Sequence, residues 1–397
     1  MLVVNEANRM KRLPPYLFTI VDRWKKEVRD QGADVIDFSM GNPDFDPPKH
    51  VVETLKEAME MPQIHRYSKG DYSIEKKFRK SISDWYKGRF NVDLDPDTEV
   101  LPCIGSKEGI AHLCLAFMNY DDLALVPSPA YPVHFNGVIM AGGILYNIPL
   151  KEETHYLPDF FSLPKETVRL SKMLFLSYPH NPTGATCSLD FYEKVIRWVS
   201  DKNIITVSDL AYSDFILEGK RANSILEVKD ARKYAIEFHT LSKSYSMAGW
   251  RVGFAVGNKD ILASLAKTKS YCDFGLFRAV QVAATKALSG PQTYVKQIVK
   301  HYKKRVDLFV DGMNKIGWET RKPKATFYVW TRIPARFSAL TSMEFTELLI
   351  RETGIAVAPG TGFGEYGEGY VRFAMVVDEK RIKEALERMG KWLKIPD

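Results

Sequence analysis

Residues 234–257 read YAIEFHTLSKSYSMAGWRVGFAVG, in which two apolar runs enclose a polar loop that carries Lys243 and Arg251. Apolar runs of this length without regular polar alternation are typical of strands that are buried on both faces. Four more such runs precede them, namely VLPCIG (100–105), LALVP (123–127), MLFLSY (173–178) and IITVSD (204–209). Amphipathic segments separate the runs, at 106–118, 132–141 and 188–200. The alternation predicts an α/β fold in which helices cover both faces of a mainly parallel sheet.

The pattern changes after about residue 290. We expect residues 46–290, which begin with helical patterns at 49–61 and 73–89, to form a large domain. A long charged segment follows, and after it come FYVWTRI, a helical pattern near 342–353, IAVAP, VRFAM and a last helical pattern from about 379. This order predicts a smaller α+β domain over residues 291–397, with residues 1–45 supplying an N-terminal arm and part of that domain.

Composition excludes several classes of protein. With 45% hydrophobic and 26% charged residues in 397, the chain is typical of globular proteins and has enough apolar material for a large core. Lys plus Arg exceeds Asp plus Glu by 56 − 49 = 7, but these charges are scattered and no helix-turn-helix or aromatic-lined basic patch is evident, so we expect no nucleic-acid partner. The four cysteines show no metal-ligand spacing, and we predict no metal site.

Neither a membrane anchor nor a secretory leader is evident in the sequence. No apolar stretch approaches the ~20 residues that a membrane-spanning helix needs. The segment MLVVNEANRMKRLPPY has no long apolar core behind a basic stretch. Together with the few cysteines, this predicts a cytoplasmic protein without a membrane partner.

Polar groups follow four of the predicted strands. Ligands of open parallel sheets bind beyond the carboxyl ends of the strands, so these groups are candidates for one site. They are Gly105, Ser106 and Lys107; Asn181 within PHNPTG; Asp209; and Thr240 with Lys243. Each also has a simpler interpretation, as a strand-to-helix turn, a proline-rich turn, a helix cap or a solvated loop. Taken together, they indicate a ligand with a phosphate, a ring and an electrophilic carbon.

The motifs around these residues resemble those of the class I/II aminotransferases, which are pyridoxal 5'-phosphate (PLP) enzymes of fold type I. The resemblance extends from SMGNPDF (39–45) through RYSKGD (66–71), IGSKEG (104–109), PSPAYP (127–132), NPTG (181–184), SDLAY (208–212) and LSKSYSMAGWRVG (241–253) to VRFAM (371–375). It is strongest to bacterial alanine (glutamate-pyruvate) aminotransferases, with LL-diaminopimelate aminotransferases as near relatives. It is highly specific for the class and weak on substrate.

The resemblance implies a role for individual residues around the cofactor ring. Lys243 would form an imine with the cofactor aldehyde, and Asp209 would keep the pyridine nitrogen protonated. Tyr212 and Asn181 would hydrogen-bond the phenolic oxygen, and Tyr131 would lie on the ring face. A protonated ring accepts the electrons left behind when an amino acid loses its α-proton.

Other residues would bind the phosphate and the substrate. The phosphate would be held by the backbone of Gly105, Ser106 and Lys107, by Thr240 and Arg251, and by Tyr67 of a second subunit. A guanidinium offers a planar fork that matches phosphate oxygens. Arg372 would bind the substrate α-carboxylate, helped by the backbone near Gly41. Strand alternation in YVRFAM places Arg372 opposite Val371 and Phe373, so that it faces the cleft while they pack.

Two segments have open roles. In GLFRAVQ (275–281) Arg278 departs from the family pattern, which commonly has a hydroxyl residue and a proline there. Arg278 either meets a cofactor phosphate across the dimer, binds a second substrate carboxylate, or is a surface residue at a helix start. The segment RLPPYLF (12–18) either closes the site with Tyr16 or anchors the arm on the small domain.

The sequence therefore predicts a homodimeric, PLP-dependent transaminase with amino acid and 2-oxo acid substrates and a two-stage exchange. Alanine with 2-oxoglutarate is the first pair expected, and LL-diaminopimelate or aspartate is the alternative. A PLP-dependent lyase or decarboxylase on the same fold is a further alternative. Arg372 disfavours decarboxylation, because it would hold the carboxylate in the ring plane.

Overall fold

The computed structural model describes residue 2, residues 4–68 and residues 73–394. Residues 69–71 of the RYSKGD motif therefore lie outside the described residues. In the described part of the chain, no helix combines the length and the apolar character that crossing a bilayer requires.

A seven-stranded sheet forms the centre of the fold. Its strands are β2 (Val100–Cys103), β3 (Leu123–Ser128), β4 (Ile144–Pro149), β5 (Ser171–Leu176), β6 (Ile205–Asp209), β7 (Ala235–Thr240) and β8 (Gly253–Gly257). They are arranged in the order β2-β8-β7-β6-β5-β3-β4. Strands β4, β3, β5, β6 and β7 pair in parallel, whereas β8 is antiparallel to both of its neighbours. The predicted α/β class with a mainly parallel sheet is confirmed.

Helices cover both faces of this sheet. They are α3 (Lys49–Met59), α4 (Ser73–Phe90), α5 (Ser106–Phe117), α6 (Val133–Met140), α7 (Lys165–Leu170), α8 (Leu189–Val199), α9 (Leu241–Ser244), α10 (Lys259–Cys272) and α11 (Arg278–Ser289). Successive strand residues point to opposite faces. Accordingly, Met173 and Phe175 belong to one apolar core, and Leu174 and Leu176 to the other. Burial on both faces explains why the strand sequences lack alternation.

A second group of strands and helices stands beside this sheet. Its strands are β1 (Ile36–Asp37), β9 (Tyr328–Arg332), β10 (Ile355–Ala356), β11 (Ala358–Pro359) and β12 (Tyr370–Ala374). Its helices are α12 (Thr293–Lys315), α13 (Ser342–Thr353) and α14 (Glu379–Trp392). Strand β12 pairs antiparallel with β9 and β11, and β1 pairs in parallel with β10. Helix α12 connects the two groups, because Val295 packs in a core of the large sheet and Phe309 in a separate core within the second group.

The N-terminal segment joins these two groups. It contains α1 (Asn8–Lys11) and α2 (Leu17–Asp30), and Val21 and Trp24 of α2 pack with Ile350 of α13. Ahead of α2, Arg12 donates a 2.6 Å hydrogen bond to the Gly143 carbonyl, in the turn between α6 and β4. The arm is thus tied to the large sheet at Arg12 and to the smaller group through α2. The domain limits at residues 45 and 290 stay predictions.

Candidate active site

The polar strand ends converge on a cavity of about 220 Å³. Its wall includes all the site residues predicted from the sequence except Gly105 and Tyr67. The predicted residues in the wall are Tyr16, Gly41, Ser106, Lys107, Tyr131, Asn181, Asp209, Tyr212, Thr240, Lys243, Arg251 and Arg372. They meet because β5, β6 and β7 are parallel and end at the same edge, and because the β9–β12 sheet supplies the facing wall.

Asp209, the last residue of β6, is the carboxylate of the cavity. It is 4% exposed, and its Oδ2 lies 3.0 Å from Nε2 of His134 on α6. Its Oδ1 is buried and has no hydrogen-bond partner among the described residues. An unpaired carboxylate oxygen in a buried place is costly unless a donor reaches it. Asp209 is therefore arranged to receive a proton donor from a ligand.

Lys243 lies in α9, directly after β7. Its Nζ donates a 2.6 Å hydrogen bond to the Gly41 carbonyl. Burial lowers the pKa of this amine, and Arg372 and Arg251 lower it further against the opposing effect of Tyr328. A lowered pKa leaves more of the amine unprotonated near neutral pH, which is the form that attacks a carbonyl.

The start of α5 forms an anion cradle. Gly105 precedes the helix with φ of 78°, a left-handed conformation that favours glycine, and the first amides of the helix have no partner within it. A Cβ on Gly105 would lie 2.5 Å from Nη2 of Arg251, so the guanidinium packs directly on the glycine. Thr240 and Ser106 line the same part of the cavity. Free amides, hydroxyls and a guanidinium together suit a phosphate group.

Arg372 lies on the opposite wall, on β12. It is 2% exposed, and it donates to Asn181 Oδ1 at 2.9 Å and to the Ser39 carbonyl at 2.8 Å. Its neighbours Val371 and Phe373 pack in the apolar core, as the strand alternation predicts. A buried guanidinium without a carboxylate partner among these contacts is suited to an incoming carboxylate.

Two predicted residues lie apart from the cavity lining. Tyr67 is 77% exposed and its ring centroid lies 5.3 Å from that of Phe274. Gly105 lies behind the lining, under Arg251.

Arg278 is 3% exposed, so it is not the surface residue considered from the sequence, and its Nη1 donates to the Gln63 carbonyl at 3.0 Å. The two functional roles considered for Arg278 stay predictions.

Sequence reasoning missed several residues of the site. Tyr328, Phe18 and Met40 line the cavity, and the Tyr328 hydroxyl lies 2.7 Å from that of Tyr212. His134 lies behind the lining, where its Nε2 is 3.0 Å from Asp209. The only sequence signal for a role of His134 is its position three residues after Tyr131. Tyr328 lies in an apolar run that looks like any core strand.

The cavity fits PLP by its donor set. Asp209 Oδ1 has no hydrogen-bond partner in the described part of the chain, which leaves it open to the protonated ring nitrogen. The α5 amides with Arg251 suit the phosphate, and the Lys243 amine with its lowered pKa suits the aldehyde. The residues present therefore accommodate the three functional groups of this cofactor.

A cluster outside the cavity could be taken for a metal site. Glu108, His112 and Asp273 place ligand atoms within 4.8 Å of one another. However, Lys269 Nζ lies 2.9 Å from carboxylate oxygens of both Glu108 and Asp273. The ammonium already pairs with both carboxylates, so the cluster is an ion-pair network that ties α5 to α10.

Comparisons with known proteins agree with this geometry. The family described as "Aminotransferase class I and II" matches residues 33–389. The chain is 48% identical over 386 residues to an LL-diaminopimelate aminotransferase of Syntrophobacter fumaroxidans, covering 97% of this chain and 98% of that one. It is 44% identical over 378 residues to the glutamate-pyruvate aminotransferase AlaC of Escherichia coli, covering 95% and 91%. Among solved structures, apo-BacF of Bacillus subtilis has a TM-score of 0.94 at 37% identity, covering 100% and 99%.

Proposed function

Because this chain belongs to the class I and II aminotransferases, we propose that it binds PLP through Lys243 and exchanges an amino group between an amino acid and a 2-oxo acid in two stages. The single observation that carries the proposal is the cavity that joins Lys243, Asp209 and Arg372. When bound, PLP supplies an electron sink for the carbanion that forms on loss of the α-proton.

The residues of the chain then have distinct tasks. Arg372 would hold the substrate α-carboxylate. The Asp209 carboxylate would keep the adjacent pyridine nitrogen of the cofactor protonated and positively charged. Lys243 Nζ would accept the α-proton of the substrate, since its lowered pKa leaves an unprotonated amine available. Tyr212 donates to the phenolic oxygen, and Thr240 and Arg251 hold the phosphate.

We propose LL-diaminopimelate as the first amino donor to examine. Two relatives that bear this name are 48% identical to the chain, others are 41–44% identical, and the glutamate-pyruvate enzyme is 44% identical. The two highest identities favour LL-diaminopimelate over the alanine and 2-oxoglutarate pair expected from the sequence. Besides Lys243, Arg251 and Arg372, the cavity offers Lys107, whose Nζ lies 5.6 Å from the ring centroid of Tyr16. A donor with a distal carboxylate can engage that ammonium, and alanine cannot.

A substrate panel with a Lys107 variant tests this assignment. The PLP-loaded protein is mixed with LL-diaminopimelate, L-alanine, L-glutamate or L-aspartate, and the loss of the visible absorbance and the 2-oxo acid product are followed. We expect LL-diaminopimelate to react with the highest kcat/KM. Lys107→Met lowers that value about 10-fold or more, because a hydrogen bond to a charged group is worth about 1.5–3 kcal/mol. L-Alanine is the matched control, and its kcat/KM changes less than about threefold.

The outcomes separate the candidates. An equal loss on both donors assigns Lys107 to the cofactor phosphate instead of a distal carboxylate. The highest kcat/KM with L-alanine supports the glutamate-pyruvate assignment, for which the 44% identical relative is the supporting observation. Product without a 2-oxo acid indicates a lyase.

We further propose that the enzyme is a homodimer. Four large aromatic side chains are exposed: Tyr67 at 77%, Tyr271 at 85%, Phe274 at 52% and Phe277 at 42%. The ring of Tyr67 contacts that of Phe274, the ring of Phe277 stacks on His65, and Tyr271 precedes Phe274 by three residues. An apolar patch of this kind on a protein surface marks an association site. A second copy is the proposed occupant, and Tyr67 then reaches the phosphate of the partner.

Tyr271→Glu provides the test of assembly. We expect light scattering to give a dimer mass for the unmodified protein and a shift toward monomer for the variant, because a charge within an apolar interface is costly. Tyr120→Glu, at a side chain that is 72% exposed elsewhere on the surface, is the matched control and stays dimeric. A monomeric unmodified protein, or equal masses for the Tyr271 variant and the control, contradicts the assignment of this surface.

A further inference from the structure

Tyr328, the first residue of β9, connects several groups of the cavity. It is 2% exposed, and its hydroxyl oxygen lies 2.7 Å from that of Tyr212. Its ring centroid lies 4.1 Å from Cζ of Arg372. A single side chain thus contacts both the hydroxyl proposed for the cofactor and the guanidinium proposed for the substrate.

The ring of Tyr328 is one of two rings that lie close to the guanidinium of Arg372. Phe363 is the second, with its centroid 4.6 Å from the guanidinium carbon. Aromatic faces attract a guanidinium and hold it against them. The two Nη atoms are also held, by Asn181 and Ser39. The ring therefore contributes to the position of Arg372 before any carboxylate arrives.

The hydroxyl of Tyr328 has a different set of neighbours. A Cβ on Gly41 would overlap this hydroxyl, so only glycine leaves room for it. The carbonyl of Gly41 is the acceptor for Lys243 Nζ. The hydroxyl is therefore held between Tyr212 and the backbone that positions the lysine.

A tyrosine hydroxyl carries one proton, which decides how the pair can act. If Tyr328 donates to Tyr212, the proton of Tyr212 is available for a third oxygen. Hydrogen bonds in such a chain strengthen one another. Tyr212 is then a better donor than it would be alone.

We propose that Tyr328 is a positioning residue with two separable tasks: its ring orients Arg372 toward the substrate carboxylate, and its hydroxyl directs the Tyr212 proton toward the phenolic oxygen of PLP. This inference rests on the proposed function. Other charged or titratable groups also face the pair, namely Lys243, Arg372, Tyr131, Tyr16, Asp209, Lys107 and Arg251. The variants below leave all of them in place.

Two substitutions separate the tasks. Tyr328→Phe keeps the ring and removes the hydroxyl, whereas Tyr328→Leu removes both. The first readout is the pH midpoint at which the visible absorbance of the PLP-loaded protein changes. The second is the dissociation constant for propionate, a carboxylate without an α-amino group. Circular dichroism and the melting temperature verify that each variant is folded.

The expected results differ between the readouts. Both variants raise the pH midpoint by roughly 0.5 unit, because a weaker donor stabilises the negative phenolic oxygen less. Only Tyr328→Leu weakens propionate binding, by about fivefold or more, which corresponds to the strength of a desolvated cation–π contact. Tyr328→Phe keeps the propionate constant within about twofold.

A double variant tests whether the hydroxyl acts through Tyr212. In a Tyr212→Phe background, Tyr328→Phe should produce no further change of the midpoint. A full additional shift, or an unchanged midpoint in Tyr328→Phe alone, overturns the task of the hydroxyl. Propionate binding by Tyr328→Leu at the unmodified strength overturns the task of the ring. If the unmodified protein shows no visible band with PLP, the proposed function itself fails.

Discussion

Lys243→Ala is expected to abolish the covalent attachment of PLP and to lower transamination by at least about 10²–10⁴-fold, the usual contribution of a positioned proton-transfer group. The Lys243 amine is held by the Gly41 carbonyl and has a lowered pKa. The alanine side chain has no amine that could take its place. The protein is treated with PLP and borohydride, and the labelled peptide is identified by mass spectrometry.

Lys194→Ala is the matched control for this experiment. Lys194 lies on α8 in an exposed pair with Asp190, 2.9 Å apart, and outside the cavity wall. Its variant keeps both the label at position 243 and the activity. A label on any other lysine of the unmodified protein is incompatible with the proposed role of Lys243.

Asp209→Asn is expected to lower kcat by about 10²–10⁴-fold, since leaving a buried cation without its anionic partner costs about 3–5 kcal/mol. Asparagine preserves the shape beside His134 but removes the charge that would keep the cofactor ring protonated. Stopped-flow absorbance of each half-reaction measures the effect.

Asp190→Asn serves as the control, because this exposed carboxylate pairs with the surface residue Lys194. Exposed pairs of this kind contribute about 0–1 kcal/mol. Half-reaction rates for Asp209→Asn that equal those of the control would show that the carboxylate does not support the electron sink.

The cofactor side of the site could be predicted from the sequence because it depends on strand ends. Asn181, Asp209 and Lys243 follow consecutive parallel strands, and parallel strands bring such residues to one edge whatever the details of the loops. The placement of Arg372 followed from alternation along β12, where Val371 and Phe373 pack in the core.

Other features depend on long-range packing that a local pattern does not contain. Strand β8 is as apolar as its neighbours, so nothing in its residues distinguishes antiparallel from parallel pairing. Strand β4, at the sheet edge, is partly exposed and its mixed sequence was not recognised as a strand. Tyr328 becomes a site residue only because β9 lies beside β12, more than 30 residues away in the chain.

The cavity draws its two walls from separate sheets. Asp209 and Thr240 end strands of the large sheet, whereas Tyr328 and Arg372 belong to the smaller one. A substitution in the smaller sheet, at a position other than Tyr328, can therefore reshape the wall that meets the substrate while Asp209 and Thr240 keep their places. Selectivity and activation then depend largely on different parts of the backbone.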